Sequence, residues 1–145
     1  YSKEQEVDPA LVLALIREES FFRTDVRSPA NAFGLMQLLH GTAREIASGS
    51  DLKVKARDLY DPEINIRLGL QSLKMLLDKY DGRLYLALAG YNDGPHRVDQ
   101  WLQDFPLADE EEFIEMIPFT ETRTYVKSIL RNYFFYRYYY DPGKP

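Results

Sequence analysis

The chain has 145 residues, a length that favours one domain able to bury about 70% of its unfolded surface. With 45% hydrophobic and 28% charged residues it is too apolar for a disordered chain. Eighteen Lys and Arg stand against 23 Asp and Glu, giving a net charge of −5, and no basic patch is visible; this argues against nucleic acid as the main partner and does not favour an anionic membrane surface. Cysteine is absent, which rules out disulfides, zinc–thiolate sites and a Cys nucleophile, and suits the cytoplasm and the bacterial periplasm equally.

Helix signals dominate the chain in order. Asp8-Pro9 pairs an N-cap with Pro at the first helical position, and apolar residues recur at helical spacing over 11–22. Thr42-Ala43-Arg44-Glu45 has capping-box spacing and predicts a short second helix. Asp61-Pro62 starts a third, carried by Ile64, Leu68, Leu73, Leu76 and Leu77 and stopped by Asp81-Gly82. A shorter apolar helix over 84–89 ends at Gly90, before the turn signal Asn92-Asp93-Gly94-Pro95. Another short helix is expected over 98–102, and Pro118 and Thr120 precede a long one over 121–139. Alternation of apolar and polar residues is scarce, so the expected fold is mainly α, in a single domain. No stretch approaches the roughly 18 apolar residues needed to span a bilayer. The opening Tyr1-Ser2-Lys3-Glu4-Gln5-Glu6 is no signal peptide, and a chain without an initiating Met reads as a mature or excised piece.

Two segments stand apart in composition. Asp109-Glu110-Glu111-Glu112 reads as a solvated loop or helix start before it reads as a partner site. The run Tyr133-Phe134-Phe135-Tyr136-Arg137-Tyr138-Tyr139-Tyr140 holds more rings than one helix face can bury. It is expected to be a terminal helix with rings left over, the alternative being a docking surface for a neighbouring domain or for sugars.

The first helix carries the sharpest chemical clue. At about 100° per residue, Leu11, Val12, Leu15, Ile16 and Phe22 share a face, and Glu19 projects near its middle while Glu18 lies roughly 80° away. A carboxylate on a core-facing stripe is costly unless it is paired or serves chemistry. Burial there favours the protonated acid, able to donate near neutral pH. Periodicity alone leaves this reading level with a salt-bridged core glutamate paired to Arg123 or Arg27.

Downstream, Ser28-Pro29-Ala30-Asn31-Ala32-Phe33-Gly34-Leu35-Met36-Gln37 reads as a turn-rich loop that re-enters helix, with Gln37 suited to amide and hydroxyl recognition. Tyr91-Asn92-Asp93-Gly94 reads first as a turn, and second as a ring and an amide facing a sugar. His40 and His96 stand alone without zinc-helix spacing, so no metal site is expected. Nucleophile elbow, Walker, dinucleotide and EF-hand patterns are absent, and no cofactor is expected.

Taken together and in order, these pieces resemble the catalytic domain of the soluble lytic transglycosylases, lysozyme-like enzymes that cut the peptidoglycan glycan chain. Ala14-Leu15-Ile16-Arg17-Glu18-Glu19-Ser20 is similar to the family's Glu-Ser helix end, and Gly34-Leu35-Met36-Gln37 to its GLMQ motif. Asp61-Pro62 with Asn65-Ile66 and Gly69 resembles the following helix, Ala89-Gly90-Tyr91-Asn92-Asp93-Gly94-Pro95 the Tyr-Asn-x-Gly motif, and Ile117-Pro118-Phe119-Thr120-Glu121-Thr122-Arg123-Thr124-Tyr125-Val126 the closing signature. The likeness spans residues 8–130, with departures at Arg23-Thr24, Asn31 and Leu39-His40 that leave Glu19 in place.

The resemblance implies a lysozyme-like helical domain over 1–145 with a substrate cleft and with Glu19 as the single catalytic acid/base. It implies Ser28 near the substrate's N-acetyl group, Met36, Gln37, Tyr91 and Asn92 as cleft residues, Glu115 as a second cleft carboxylate, and Tyr125 holding the reacting sugar. Its substrate would be peptidoglycan glycan strands, in the periplasm or cell envelope, with further domains in a longer parent protein. Three rivals stay open: a hydrolytic muramidase using Asp25 or Glu115 to orient water, a catalytically silent glycan-binding module, and a helical protein-interaction domain.

Overall fold

A computed structural model describes residues 1–49 and 53–140. It is mainly helical, as the apolar spacing predicts. Helices α1 (Pro9–Ser20), α2 (His40–Ala47), α3 (Pro62–Lys79), α4 (Leu84–Asp93), α5 (Pro95–Asp104), α6 (Glu110–Met116) and α7 (Thr120–Tyr140) are joined by a 3-10 turn at Ala56–Tyr60 and a small hairpin. Its strands, β1 (Ala32–Phe33) and β2 (Leu38–Leu39), pair antiparallel with Ala32 opposite Leu39 and Phe33 opposite Leu38. The chain divides into two compact units, Tyr1–Lys74 and Met75–Pro145.

The helix starts follow local chemistry. Asp8 caps α1 by accepting from the Ala10 N–H at 2.9 Å, with Pro9 at the first position. The acidic run proves to be a helix start: Asp109 Oδ1 accepts from the Glu112 N–H at 2.9 Å while the Asp109 N–H donates to Glu112 Oε2 at 3.3 Å, and the acids meet the positive end of α6. The expected box at Thr42 is not used. Helix α2 begins three residues earlier, with Leu39 at the cap position and no side-chain cap, because β2 delivers the chain directly into it.

In the first unit, Phe33, Leu38, Ala43, Ala47, Val54, Leu59 and Leu68 form one buried cluster under the hairpin. In the second, Phe113 is 1% exposed, with the Tyr85 and Phe105 rings at 5.5 and 5.0 Å. Helix α7 buries Thr122, Tyr125, Val126, Ile129 and Asn132, after which Phe134, Phe135, Tyr138, Tyr139 and Tyr140 are all exposed. Along the helix Phe135 stacks on Tyr139 at 6.5 Å, and half-buried Tyr136 meets Tyr140 at a tilt at 5.9 Å. Among the described residues no helix is long and apolar enough to cross a membrane.

Candidate active site

Helix α1 ends one residue after Glu19. Ala14, Leu15 and Ile16 are buried, Ser20 is buried with its hydroxyl on Ile16 O at 3.1 Å, and both Glu18 and Glu19 are half-buried on the last turn. Phe21 turns left-handed (φ 50°) and its N–H closes on Arg17 O at 3.0 Å; Phe22 follows at φ 62°. Two successive non-glycine residues at positive φ are a costly way to end a helix. The expectation that Phe22 shares the apolar face is therefore corrected: it leaves the helix and is 48% exposed.

Of the arginines considered as partners for a core glutamate, Arg27 donates from Nε and Nη2 to Asn31 Oδ1 at 3.0 and 2.6 Å and covers the Phe33 ring. Arg123 donates to the Ile117 and Glu115 carbonyls at 3.1 and 3.4 Å.

Residues 26–37 build one backbone assembly in the first unit. Ser28 N–H donates to Ala32 O at 3.0 Å, and its hydroxyl accepts from the Ala32 N–H at 3.1 Å. Gly34 N–H reaches Val26 O at 2.9 Å. The segment after Gly34 does not re-enter helix, contrary to expectation; it is the tip of the hairpin. The reason is that Gly34 and Gln37 both adopt positive φ, 73° and 47°, which no helix accommodates. Gln37 holds the tip with its own amide, Nε2 donating to Gly34 O at 2.8 Å and Val26 O at 3.3 Å. Met36 is fully buried with its sulfur against Gly69, so it packs beneath the turn.

Asn65 anchors the tip from α3. Fully buried, it donates from Nδ2 to Phe33 O and Leu59 O, both at 2.8 Å, and accepts from the Met36 N–H at 2.8 Å. A Cβ at Gly34 would lie 2.3 Å from Leu59 O and 2.5 Å from Asn65 Nδ2, so only glycine fits both the space and the φ. Sequence reasoning noted Asn65 only as part of a motif. An amide on the Leu68–Leu73–Leu76 face of α3 was the available signal.

The second unit carries the remaining candidates. Tyr91 and Asn92 lie in the last turn of α4, which continues through Asp93; the segment read as a turn is helical until Gly94, at φ 89°, breaks it. Asn92 Oδ1 accepts the hydroxyl of Thr122 on α7 at 2.8 Å, and Tyr125, one turn further along α7, is buried. Below this helix end, the Tyr80 hydroxyl lies 3.1 Å from Pro95 O and 3.0 Å from Asp99 Oδ1, and Asp99 pairs with Lys79 at 2.9 Å. Burial and the facing Asp99 push the Tyr80 phenol up; the Lys79 ammonium bonded to Asp99 holds its carboxyl below the usual range.

Glu115, near the end of α6, is exposed and ion-paired to Lys127, whose ammonium lowers its pKa; it is a carboxylate held ionised. Ser28, Met36 and Gln37 thus share one assembly, Asn92 and Tyr125 lie on packed helices α4 and α7, and Glu115 is tied to α7 through Lys127. His40 Nε2 contacts Val54 O at 2.9 Å, and among the described residues no cluster of His, Asp or Glu could hold a metal ion.

Residues 1–114 match the family described as the Transglycosylase SLT domain. The soluble lytic murein transglycosylase of Escherichia coli K12 is 35% identical over 142 residues, covering 96% of this chain and 22% of its own length. The structure of an inactive glutamate-to-glutamine mutant of lytic transglycosylase Slt from Pseudomonas aeruginosa superposes with a TM-score of 0.91 at 36% identity, over 99% of this chain and 24% of that one. A complex of the 70-kDa soluble lytic transglycosylase with bulgecin A gives 0.94 at 34% identity, over 99% and 24%. The chain therefore spans less than a quarter of the length of these relatives.

Proposed function

Since this chain belongs to the Transglycosylase SLT domain family, we propose that residues 1–145 are the catalytic domain of a peptidoglycan lytic transglycosylase, with Glu19 as its one acid/base. The observation that carries the assignment of Glu19 is its place: a half-buried carboxylate on the last turn of α1, next to buried Ser20 and directly before the strained Phe21-Phe22 turn. That the Pseudomonas relative is inactive with one glutamate changed to glutamine supports a chemistry that requires a glutamate.

Glycosidases of the usual kind need two carboxylates, one acid and one nucleophile or base. Here the substrate supplies the second group. The acetamido oxygen of N-acetylmuramic acid attacks C1 as the β-1,4 bond to N-acetylglucosamine breaks, and Glu19 gives its proton to the departing oxygen. The carboxylate so formed then takes the C6 hydroxyl proton. The C6 oxygen displaces the acetamido oxygen at C1, closing a 1,6-anhydro ring. Protons and electrons balance without water, and Glu19 ends protonated for the next cycle. A group that acts first as acid and then as base works best with its pKa near the working pH.

In this reading Ser28 would meet the N-acetyl group, Gln37, Tyr91 and Asn92 would contact the glycan, and Tyr125 would hold the reacting sugar. Glu115, kept ionised by Lys127, fits an acceptor of substrate hydroxyls and not a second acid. The substrate places the enzyme in the periplasm or cell envelope, and relatives more than four times as long support further domains in its parent protein.

Mass spectrometry of muropeptides released from purified sacculi tests the proposal. Products one water lighter than hydrolytic ones, without a reducible muramic end, are expected, and Glu19→Gln should remove them while leaving the unfolding midpoint unchanged. Reducing ends would turn the reading to a muramidase, and substantial turnover by folded Glu19→Gln would refute the role of Glu19.

A further inference from the structure

Arg27 lies within the assembly that carries the candidate glycan contacts of the first unit. Before it, Val26 O accepts from the Gln37 amide at 3.3 Å and from the Gly34 N–H at 2.9 Å; after it comes Ser28, bonded to Ala32. A guanidinium is a planar fork with a side edge, formed by Nε and Nη2, and an end edge, formed by Nη1 and Nη2. In Arg27 the side edge is used: Nε and Nη2 both donate to Asn31 Oδ1, at 3.0 and 2.6 Å. Its Cζ lies 5.4 Å from the centre of the ring of Phe33, the residue opposite it in an antiparallel bridge. The end edge has no partner among the described residues, and the side chain is exposed. We propose that this end edge is a carboxylate-binding site, receiving a carboxylate of the peptidoglycan strand through two parallel N–H bonds. The inference rests on the reading of the substrate as peptidoglycan and adds a charge-specific contact to it.

Three observations set Arg27 apart from an ordinary surface arginine. Its brace is a neutral amide, so the guanidinium charge is not cancelled; the acid two positions before it, Asp25, pairs with Arg23 at 3.5 Å instead. The brace is kept at a backbone cost, because Asn31 holds φ at 61°, a left-handed conformation that glycine would take with less strain. The ring beneath is fixed: Phe33 is 7% exposed and meets Tyr60 edge-on at 5.5 Å. A guanidinium held on its side edge and over a fixed ring has lost most of its rotamer freedom before a ligand arrives, so little ordering cost remains at binding. What stays open is the fork that matches a carboxylate in bidentate fashion. On peptidoglycan that group is the lactyl carboxylate of muramic acid where the peptide is absent, and the carboxylates of the stem peptide where it is present; the chemistry recognised is the same.

The test measures Kd and turnover for the whole chain on peptide-free glycan strands and on uncross-linked strands with their stem peptides, each with its carboxylates intact or converted to methylamides. Wild type should bind at least one kind of strand about 3- to 10-fold more tightly with its carboxylates intact, the difference shrinking in high salt. A preference on peptide-free strands assigns the lactyl carboxylate, and one confined to stem-bearing strands assigns the stem. Arg27→Met, which keeps an apolar chain over Phe33, should bind intact and amidated forms alike. Asn31→Asp separates recognition from bracing. Its carboxylate still accepts from Nε and Nη2, so a purely structural Arg27 predicts an unfolding midpoint at least as high as wild type and an unchanged Kd. If the end edge binds the strand, the added charge offsets the guanidinium and repels the ligand, and the preference should fall at least about twofold. Equal affinity of wild type for intact and amidated forms of both strands, a preference that survives Arg27→Met, or an undiminished preference in Asn31→Asp would each overturn the inference. Carboxylate-dependent binding without 1,6-anhydro products would overturn the catalytic proposal alone. Absence of binding to any strand would overturn both.

Discussion

Replacing Asn65 by alanine tests whether the hairpin tip is held by polar contacts or by packing. The substitution removes three hydrogen bonds at once and strands the Met36 N–H and the Phe33 and Leu59 carbonyls in a fully buried site. Each net bond is worth about 0.5–1.5 kcal/mol, and an orphaned buried group costs more, so the sum is about 3–5 kcal/mol against a typical total of ~5–15 kcal/mol. Urea unfolding followed by circular dichroism should show this as a lower midpoint with an unchanged slope. Asn65→Asp sharpens the test. Its carboxylate would still accept from Met36 but would face two carbonyl oxygens without a donor, so burial and those oxygens raise its folded pKa. A raised folded pKa means that stability is fully present below the unfolded value, about 3.9, and is lost as pH rises. Relative to wild type, Asn65→Asp should therefore weaken steadily from pH 4 to 7. A loss under 1 kcal/mol in Asn65→Ala, or no pH slope in Asn65→Asp, would refute the reasoning.

Gly34→Ala should cost at least as much as Asn65→Ala, since its Cβ meets Leu59 O at 2.3 Å and its φ of 73° is strained for alanine; a midpoint equal to wild type would refute the close approach. The Asp99 carboxyl lies below its ordinary value of 3.8 because of Lys79, so its contribution is present above that value and fades as pH falls through the lower folded one; Asp99→Asn should flatten the stability profile there, read by urea midpoints at pH 2–5. Lys127→Met should move the titration of Glu115, followed by NMR of its side chain, up toward 4.5, with the unfolding midpoint unchanged because the pair is exposed.

How much was legible beforehand depends on what kind of signal set each feature. Periodicity located all the long helices, because apolar spacing at 3.6 residues is the cause of their burial: Leu11, Val12, Leu15 and Ile16 are all buried as read. It singled out Glu19 over Glu18 as lying near the middle of that face, although in the structure both are half-buried. It failed at Phe22, because the end of α1 is decided by the left-handed Phe21 and Phe22 and not by hydrophobicity. It failed again at Gly34-Leu35-Met36-Gln37, where two residues at positive φ make a hairpin tip, and at Asn92, where α4 continues past the turn-forming residues up to Gly94.

The side-chain bonds were hidden for a further reason. Gln37, Asn65 and Ser28 place polarity on backbone groups and Thr122 on Asn92, and none of those bonds leaves a periodic trace. Gln37 was read as an amide offered to a ligand, yet its NH2 group is spent on Gly34 O and Val26 O, so any sugar contact must come from its oxygen end.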